Sequence, residues 1–213
     1  MSAADTHKID FERGMTSVPV VTVALIVSNA LMFFVTVSYG LLQSESTILK
    51  AGALSRDLVL QGEIWRLVSS MFLHASPEHL FGNAVGLFIL GMAVEHAYGR
   101  VKMAAGYIIS GLAGGAMSLL INSGPSVGAS GAIFGLLGAI IVFFCKYNGL
   151  FHVRDKRIGN ALLLWAGYAV VTAFFMPFID NAAHVGGLIG GAFVGYSFTP
   201  ELFRGLRVCR LDS

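Results

Sequence analysis

The chain has 213 residues, of which 55% are apolar, 26 are glycine and only 12% are charged, and its mean hydropathy is +0.74. An average soluble domain carries roughly 25% charged residues, so this composition excludes a disordered chain, argues against a soluble globule and indicates a polytopic membrane protein. Two cysteines exclude a disulfide scaffold, and a net charge of +2 gives no sign of a nucleic-acid partner. At about 20 residues per helical span, there is room for about six spans and no sizeable aqueous domain.

In chain order, residues 1–18 form a short N-terminal segment too small to fold alone. Gly14 to Ser44 is uncharged and holds the first span, near Pro19 to Tyr39; it is too long for the apolar region of a signal peptide. A mixed, polar stretch from Leu41 to Glu78 follows. The second span has its core at Leu80 to Val94 and ends near Tyr98. Met103 to Cys145 is uncharged throughout, and the turn signal Asn122-Ser123-Gly124-Pro125 divides it into spans three and four. Ile158 to Ile179 is the fifth span and Asn181 to Pro200 the sixth. Residues 201–213 form a basic tail. The 14 Lys and Arg divide 11 to 3 if the N-terminus is cytoplasmic, which predicts N-in, C-in topology. Tyr39, Tyr98, Tyr147 and Tyr196 fall near span ends, where interfacial tyrosines collect.

The polar residues left inside the spans are the informative ones, because each is costly in hydrocarbon. Asn29 in span one reads as hydrogen-bonded glue between helices. His79 and Asn83 open span two, Ser130 opens span four and His184 lies near the start of span six. Ser130 is 15 residues before Cys145 and His184 is 14 before Phe198. At 1.5 Å per residue these are roughly 22 and 21 Å, which puts both side chains roughly 8–9 Å below the outer boundary of a hydrocarbon core about 30 Å thick. Span four carries Gly131, Gly135 and Gly138 and span six carries Gly187, Gly191 and Gly195, and small residues at such spacing let helix backbones approach closely.

A serine and a histidine at one depth suit a nucleophile and its base. Ser130 follows a glycine-containing turn and begins a helix, so its backbone N–H is free for an oxyanion. Ser76-Pro77 reads as an N-cap followed by proline at the first helical position. His79 and Asn83 then share a face one turn apart and supply further oxyanion donors. His74 precedes that helix and reads as a residue pinning the loop. Zinc held by His74, His79, Asn83 and His184 is the competing reading of the site, but the spacing matches no closed ligand pattern; neither metal nor cofactor is expected. Asp180, four residues before His184, is either a triad member or a helix cap.

Together these residues resemble the rhomboid family of intramembrane serine proteases, over about Glu63 to Gly195. Trp65-Arg66 is similar to the family's WR pair in the first outer loop. His74, His79 and Asn83 reproduce HxxxxHxxxN, Gly128-Ala129-Ser130-Gly131 is similar to GxSG, and Ala183-His184-Val185-Gly186-Gly187 is similar to AHxxG. The resemblance implies an all-α, six-span bundle of the basic prokaryotic form, with no separate N-terminal domain and no seventh span. It implies a Ser130–His184 dyad, with His79, Asn83 and the Ser130 N–H around the oxyanion. Gly128 and Gly131 would shape the serine turn, Phe134 would pack on His184, and Trp65 and Arg66 would organise the outer loop. The substrates implied are transmembrane segments of single-span or polytopic proteins, cut near their outer ends in a lipid bilayer. The membrane implied is the bacterial inner membrane, with the site opening outward. The apolar loop from Phe174 to Asn181, with Pro177 and Phe178, reads as a lid. Two other readings are a proteolytically inactive relative that binds membrane helices, and a small transporter. The clustering of polar residues in the outer third speaks against transport.

Overall fold

The computed structural model describes residues 8–13, 15, 18–152, 155, 157, 160–161, 164–165, 167–168, 171 and 179–204. The described residues are mostly helical and contain no β-strand, only two isolated bridges, Ile9 with Phe151 and Leu54 with Ser126. The long helices are α1 (Val20–Ser38), α5 (Pro77–Tyr98), α6 (Arg100–Ile121), α7 (Ser130–Lys146) and α8 (Asn181–Ser197). Three short helices, α2 (Glu45–Ala51), α3 (Arg56–Leu60) and α4 (Arg66–Ser69), fill the connection between α1 and α5. Helices α1, α5 and α6 are long and apolar enough to cross a membrane, while α7 is apolar but shorter. In the region read as the fifth span, Ile158 to Ile179, eight residues are described, and the seven of them from Asn160 to Val171 are helical. The predicted lid residues Pro177 and Phe178 and the tail beyond Arg204 lie outside the described residues.

Helix α1 shows how a membrane helix inverts the usual burial pattern. Its buried residues are Thr22, Asn29 and Thr36, seven apart, while Val27, Leu31 and Phe34 are exposed. Lipid is as apolar as leucine, so small and polar residues gain most by facing protein. Thr22 donates its N–H and its Oγ1 to Glu95 of α5, each at 2.9 Å, and Val21 N–H donates to the same carboxylate at 3.1 Å. Glu95 thereby satisfies amides of the first turn of α1, which have no partner within their own helix.

The bundle is centred on α7, which packs against α8 through glycine. A Cβ placed at Gly187 would strike the backbone of Gly131, and one at Gly191 would strike the backbone of Gly135. Gly195 stands in the same way against Ala139. Across the other face of α8, Gly186 meets Ala113 and Gly114 of α6. Three helices therefore lie backbone to backbone, as the glycine spacing predicts. Helices α7 and α8 both begin at one end of the bundle, called here the upper end. At the lower end Lys146 Nζ donates to Tyr196 O at 2.9 Å and Lys102 Nζ to Thr199 O at 2.7 Å, tying the last turns together.

The described residues of the N-terminal segment pack on this bundle. Phe11 is buried among Phe143, Phe144, Phe151 and His96, and its carbonyl accepts from His96 Nε2 at 2.7 Å. Ile9 N–H donates to Leu150 O at 2.7 Å. Although this segment is too short to fold alone, its described part closes the lower end of the core.

At the upper end the short helices are organised by one cation. Arg66, 5% exposed, donates Nη1 to the carbonyls of Leu49 and Ala53 and pairs through Nε and Nη2 with Glu63. It thus reaches the Ala53 carbonyl just past the end of α2 and adds a second donor to the Leu49 carbonyl, which also accepts from Gly52 N–H at 3.1 Å. Trp65 covers the guanidinium at 4.7 Å. Arg66→Ala is expected to cost about 2–4 kcal/mol, because it leaves the Glu63 carboxylate and the Ala53 carbonyl without this donor and removes the second donor to Leu49. Arg66→Lys should recover only part of this, lacking the fork. Thermal unfolding of the purified variants in detergent measures both.

Candidate active site

The upper end gathers the polar residues of four separate segments. Ser76 caps α5, its side chain accepting from His79 N–H at 3.2 Å, and Pro77 stands at the first helical position. One turn separates His79 from Asn83, which puts both on one face. Opposite them, the chain entering α7 is held flat. Leu54 and Ser126 exchange two backbone hydrogen bonds of 2.9 Å, and Gly128 N–H donates to Ser70 O at 2.9 Å. Gly128 has φ +131°, and a Cβ there would lie 2.8 Å from the His79 ring and 3.7 Å from Asn83 Nδ2. Only glycine fits this turn, on backbone and on space. His79 and Asn83 therefore flank the turn that delivers Ser130.

Ser130 is the first residue of α7, and no side chain caps that helix. The first amides of α7 consequently lack helical partners. Asn83 is 7% exposed, and its Nδ2 is buried with no acceptor. Donors of this kind, fixed and unpaired, are suited to receive a developing negative charge.

His184 arrives from α8. Gly131, next to Ser130, stands so close to Ala183 that a Cβ would lie 3.2 Å from its carbonyl oxygen. Phe134, one turn beyond Ser130, stacks on the His184 ring with centroids 4.2 Å apart and planes 9° from parallel. The ring is thus clamped between α7 and α8. Among the described residues no hydrogen bond joins Ser130 to His184, and His184 Nδ1 is buried without a partner. Catalytic hydrogen bonds are commonly long in ligand-free sites and tighten around substrate. Since Nδ1 is unpartnered, Asp180 does not complete a triad through it. Its carboxylate instead caps α8, accepting from Ala183 N–H at 2.8 Å.

His74 is completely buried and meets His79 edge to face at 5.1 Å, outside the helix that carries His79 and Asn83. Burial first, and the neighbouring His79 second, lower its pKa to about 4. A histidine lowered in the folded state binds fewer protons there than when unfolded, so its contribution is present above the unfolded value near 6.5 and is lost as pH falls toward 4. Acidification from pH 7 to 4 is expected to destabilise the wild type by on the order of 3 kcal/mol more than His74→Gln. Melting curves at the two pH values, compared between the two proteins, measure this difference.

A cavity of about 20 Å³ opens beside Ser130, lined by Ser70, Met71, Gly128 and Ala183 among others, which is room for about one water. Sequence reasoning passed over Ser70 and Met71. Met71 fills the gap left at Gly111, and nothing in a lone methionine announces that. Ser118 and Asn122, which donate to Asp180, were also passed over, although their spacing of four at a helix end is a signal.

Fold and site together define a helical membrane protein with a serine, a histidine and free hydrogen-bond donors converging at one end of its bundle. Residues 61–201 match the Rhomboid domain model. The chain is 39% identical over 153 residues to RHOMBOID-like protein 5 of Arabidopsis thaliana, covering 70% of this chain and 49% of that one. It is 35% identical over 175 residues to Rhomboid protease GluP of Bacillus subtilis (82% and 34%) and 30% identical over 215 residues to Rhomboid protease AarA of Providencia stuartii (88% and 76%). The chain belongs to the rhomboid family of integral membrane proteins, whose proteases act on membrane-protein substrates within the bilayer. It spans half or less of the length of the first two relatives. Another similar plant protein is named Inactive RHOMBOID-like protein 8, so membership alone does not establish activity.

Proposed function

We propose that this chain is an active intramembrane serine endopeptidase working through a Ser130–His184 dyad. The observation that carries the reading is the clamping of His184 by Phe134, one turn from Ser130, at the end of the bundle where Asn83 holds an unpaired donor. A substrate segment enters from the lipid, unwound near its outer end so that a carbonyl is exposed; within a helix that carbonyl is hydrogen-bonded and crowded. Ser130 Oγ attacks the carbonyl carbon while His184 takes the hydroxyl proton. The oxyanion is received by the Ser130 N–H, Asn83 Nδ2 and His79. His184 then protonates the leaving amine, the C–N bond breaks, and water hydrolyses the ester at Ser130. Gly128 and Gly131 keep the serine turn open to His79 and α8.

In this reading six spans cross the membrane with both termini inside, and the site opens to the outer side, probed by water from there. The divided placement of Lys and Arg supports that orientation. The location proposed with this reading is a bacterial inner membrane. An inactive, helix-binding relative is the alternative, and the presence of both Ser130 and His184 stands against it. The test is cleavage of a single-span test substrate by the purified chain in detergent, beside Ser130→Ala and His184→Ala. Cleavage by the wild type alone is expected; equal cleavage by all three overturns the assignment.

A further inference from the structure

Helix α8 carries few side chains large enough to set its height against its neighbours. Its buried face includes Gly186, Gly187, Gly191 and Gly195, with Val194 the one sizeable aliphatic residue on it. Contacts between glycine and backbone hold two helices at a short distance but interlock weakly along the axis, since few knobs enter holes. At the lower end Lys146 Nζ on Tyr196 O and Tyr98 OH on Gly195 O, each 2.9 Å, hold the last turns of α8. The first turn, which carries His184 one turn after Asp180, needs a fastening of its own to set how far His184 stands above or below Ser130.

At the upper end of α8 one carboxylate meets three donors. Asp180 Oδ1 accepts from Ala183 N–H at 2.8 Å and from Asn122 Nδ2, and Oδ2 accepts from Ser118 Oγ. Ser118 and Asn122 lie at the end of α6, where Asn122 N–H also bonds back to Ser118 O at 2.8 Å. The carboxylate therefore fastens the first turn of α8 to the last turn of α6. His184 follows one turn on, and its N–H donates to Asp180 O at 3.2 Å.

We propose that Asp180, held by Ser118 and Asn122, is a positioning residue that sets the axial register of α8 and hence the height of His184 relative to Ser130. The inference rests on the dyad reading above. Its physical basis is the steep dependence of catalysis on placement: a misplacement of 1 Å can cost about 100-fold. Asp180 touches neither substrate nor the reacting atoms, so its loss changes the rate of the chemical step and spares the substrate's binding.

The experiment is steady-state cleavage of a single-span test substrate by purified full-length wild type, Asp180→Ala, Asp180→Asn and Ser118→Ala/Asn122→Ala, with thermal unfolding of each. Asparagine is as good an N-cap as aspartate: its oxygen, in the place of Oδ1, keeps the Ala183 and Asn122 donors, and its amide, in the place of Oδ2, donates to Ser118 Oγ, whose hydroxyl turns to accept. Asp180→Ala and the double variant are expected to lose about 10- to 100-fold in kcat, with KM within about twofold. Both should remain folded at the assay temperature, and Asp180→Asn should return to within about threefold of wild type. Wild-type kcat in a folded Asp180→Ala overturns the inference. So does an Asp180→Asn as impaired as Asp180→Ala, because the negative charge and not the register would then be what matters. If Asp180→Ala does not fold, the double variant, which keeps the cap to Ala183, decides: unchanged kcat there overturns the inference. A wild type that does not cleave while taking up no serine-directed probe defeats the dyad reading, and this one with it.

Discussion

Ser130→Ala is expected to lower substrate cleavage by roughly 10⁴- to 10⁶-fold, or about 5–8 kcal/mol in the barrier, while leaving the fold intact. The side chain removed is one hydroxyl at the start of α7, beside a small cavity, so little packing is lost. His184→Ala is expected to reach a similar floor, since a serine without its base is a weak nucleophile. The double variant should fall no further, because a nucleophile and a base that act as a unit are not additive. His184→Ala also removes the ring on which Phe134 stacks, so it should melt a few degrees lower where Ser130→Ala does not. Rates from purified proteins, with melting temperatures beside them, check each of these statements. Additive losses in the double variant would mean that the two residues do not work in one step.

Gly191→Leu is expected to be the most damaging substitution away from the polar residues. Its new Cβ would strike the backbone of Gly135, and backbone cannot turn aside as a side chain can. Helices α7 and α8 must then separate, at a cost expected to exceed about 3 kcal/mol, the upper end of ordinary overpacking. Because α7 carries Ser130 and α8 carries His184, separation also pulls the two apart, and cleavage should fall at least about 100-fold in whatever remains folded. Gly82→Ala is the matched control: nothing lies within 4 Å of the added Cβ, and alanine is the better helix former by about 1 kcal/mol. It should therefore melt at or above the wild-type temperature. Thermal unfolding in detergent, followed by cleavage at a temperature where both variants are folded, distinguishes the two effects.

Most of the helical frame was legible in the chain because membrane spans announce themselves by length and lack of charge. The reading of the first span as Pro19 to Tyr39 is met by Val20–Ser38, and the start of the fourth at Ser130 coincides with the helix. The glycines at 131, 135, 187 and 191 foretold a close contact because in lipid few other residues let backbones meet. The Ser76-Pro77 signal worked because a cap and a proline act locally, without tertiary context. Residues whose partners lie far along the chain were not legible. Glu95 reads as the charged end of a span, and only the fold shows it accepting from the amides of Val21 and Thr22. Phe11 lies in a segment read only as too short to fold alone, yet it completes an aromatic core with Phe143 and Phe151. Asp180 was open between triad and cap; the cap to Ala183 N–H is local, but its other donors, Ser118 and Asn122, lie some 60 residues away. Apolar periodicity was of little help, since lipid-facing and core-facing residues are alike apolar; the buried stripe of α1 is its polar one.

The most direct test of the account is covalent labelling of the purified wild-type chain in detergent with a fluorophosphonate, read by intact mass and by mapping the modified peptide. Such a probe reacts with a serine whose hydroxyl is activated by a base and whose oxyanion is stabilised. The account predicts one adduct, on Ser130, lost in Ser130→Ala and strongly slowed in His184→Ala. A folded wild type that takes up no probe, or that is labelled equally fast without His184, would contradict it.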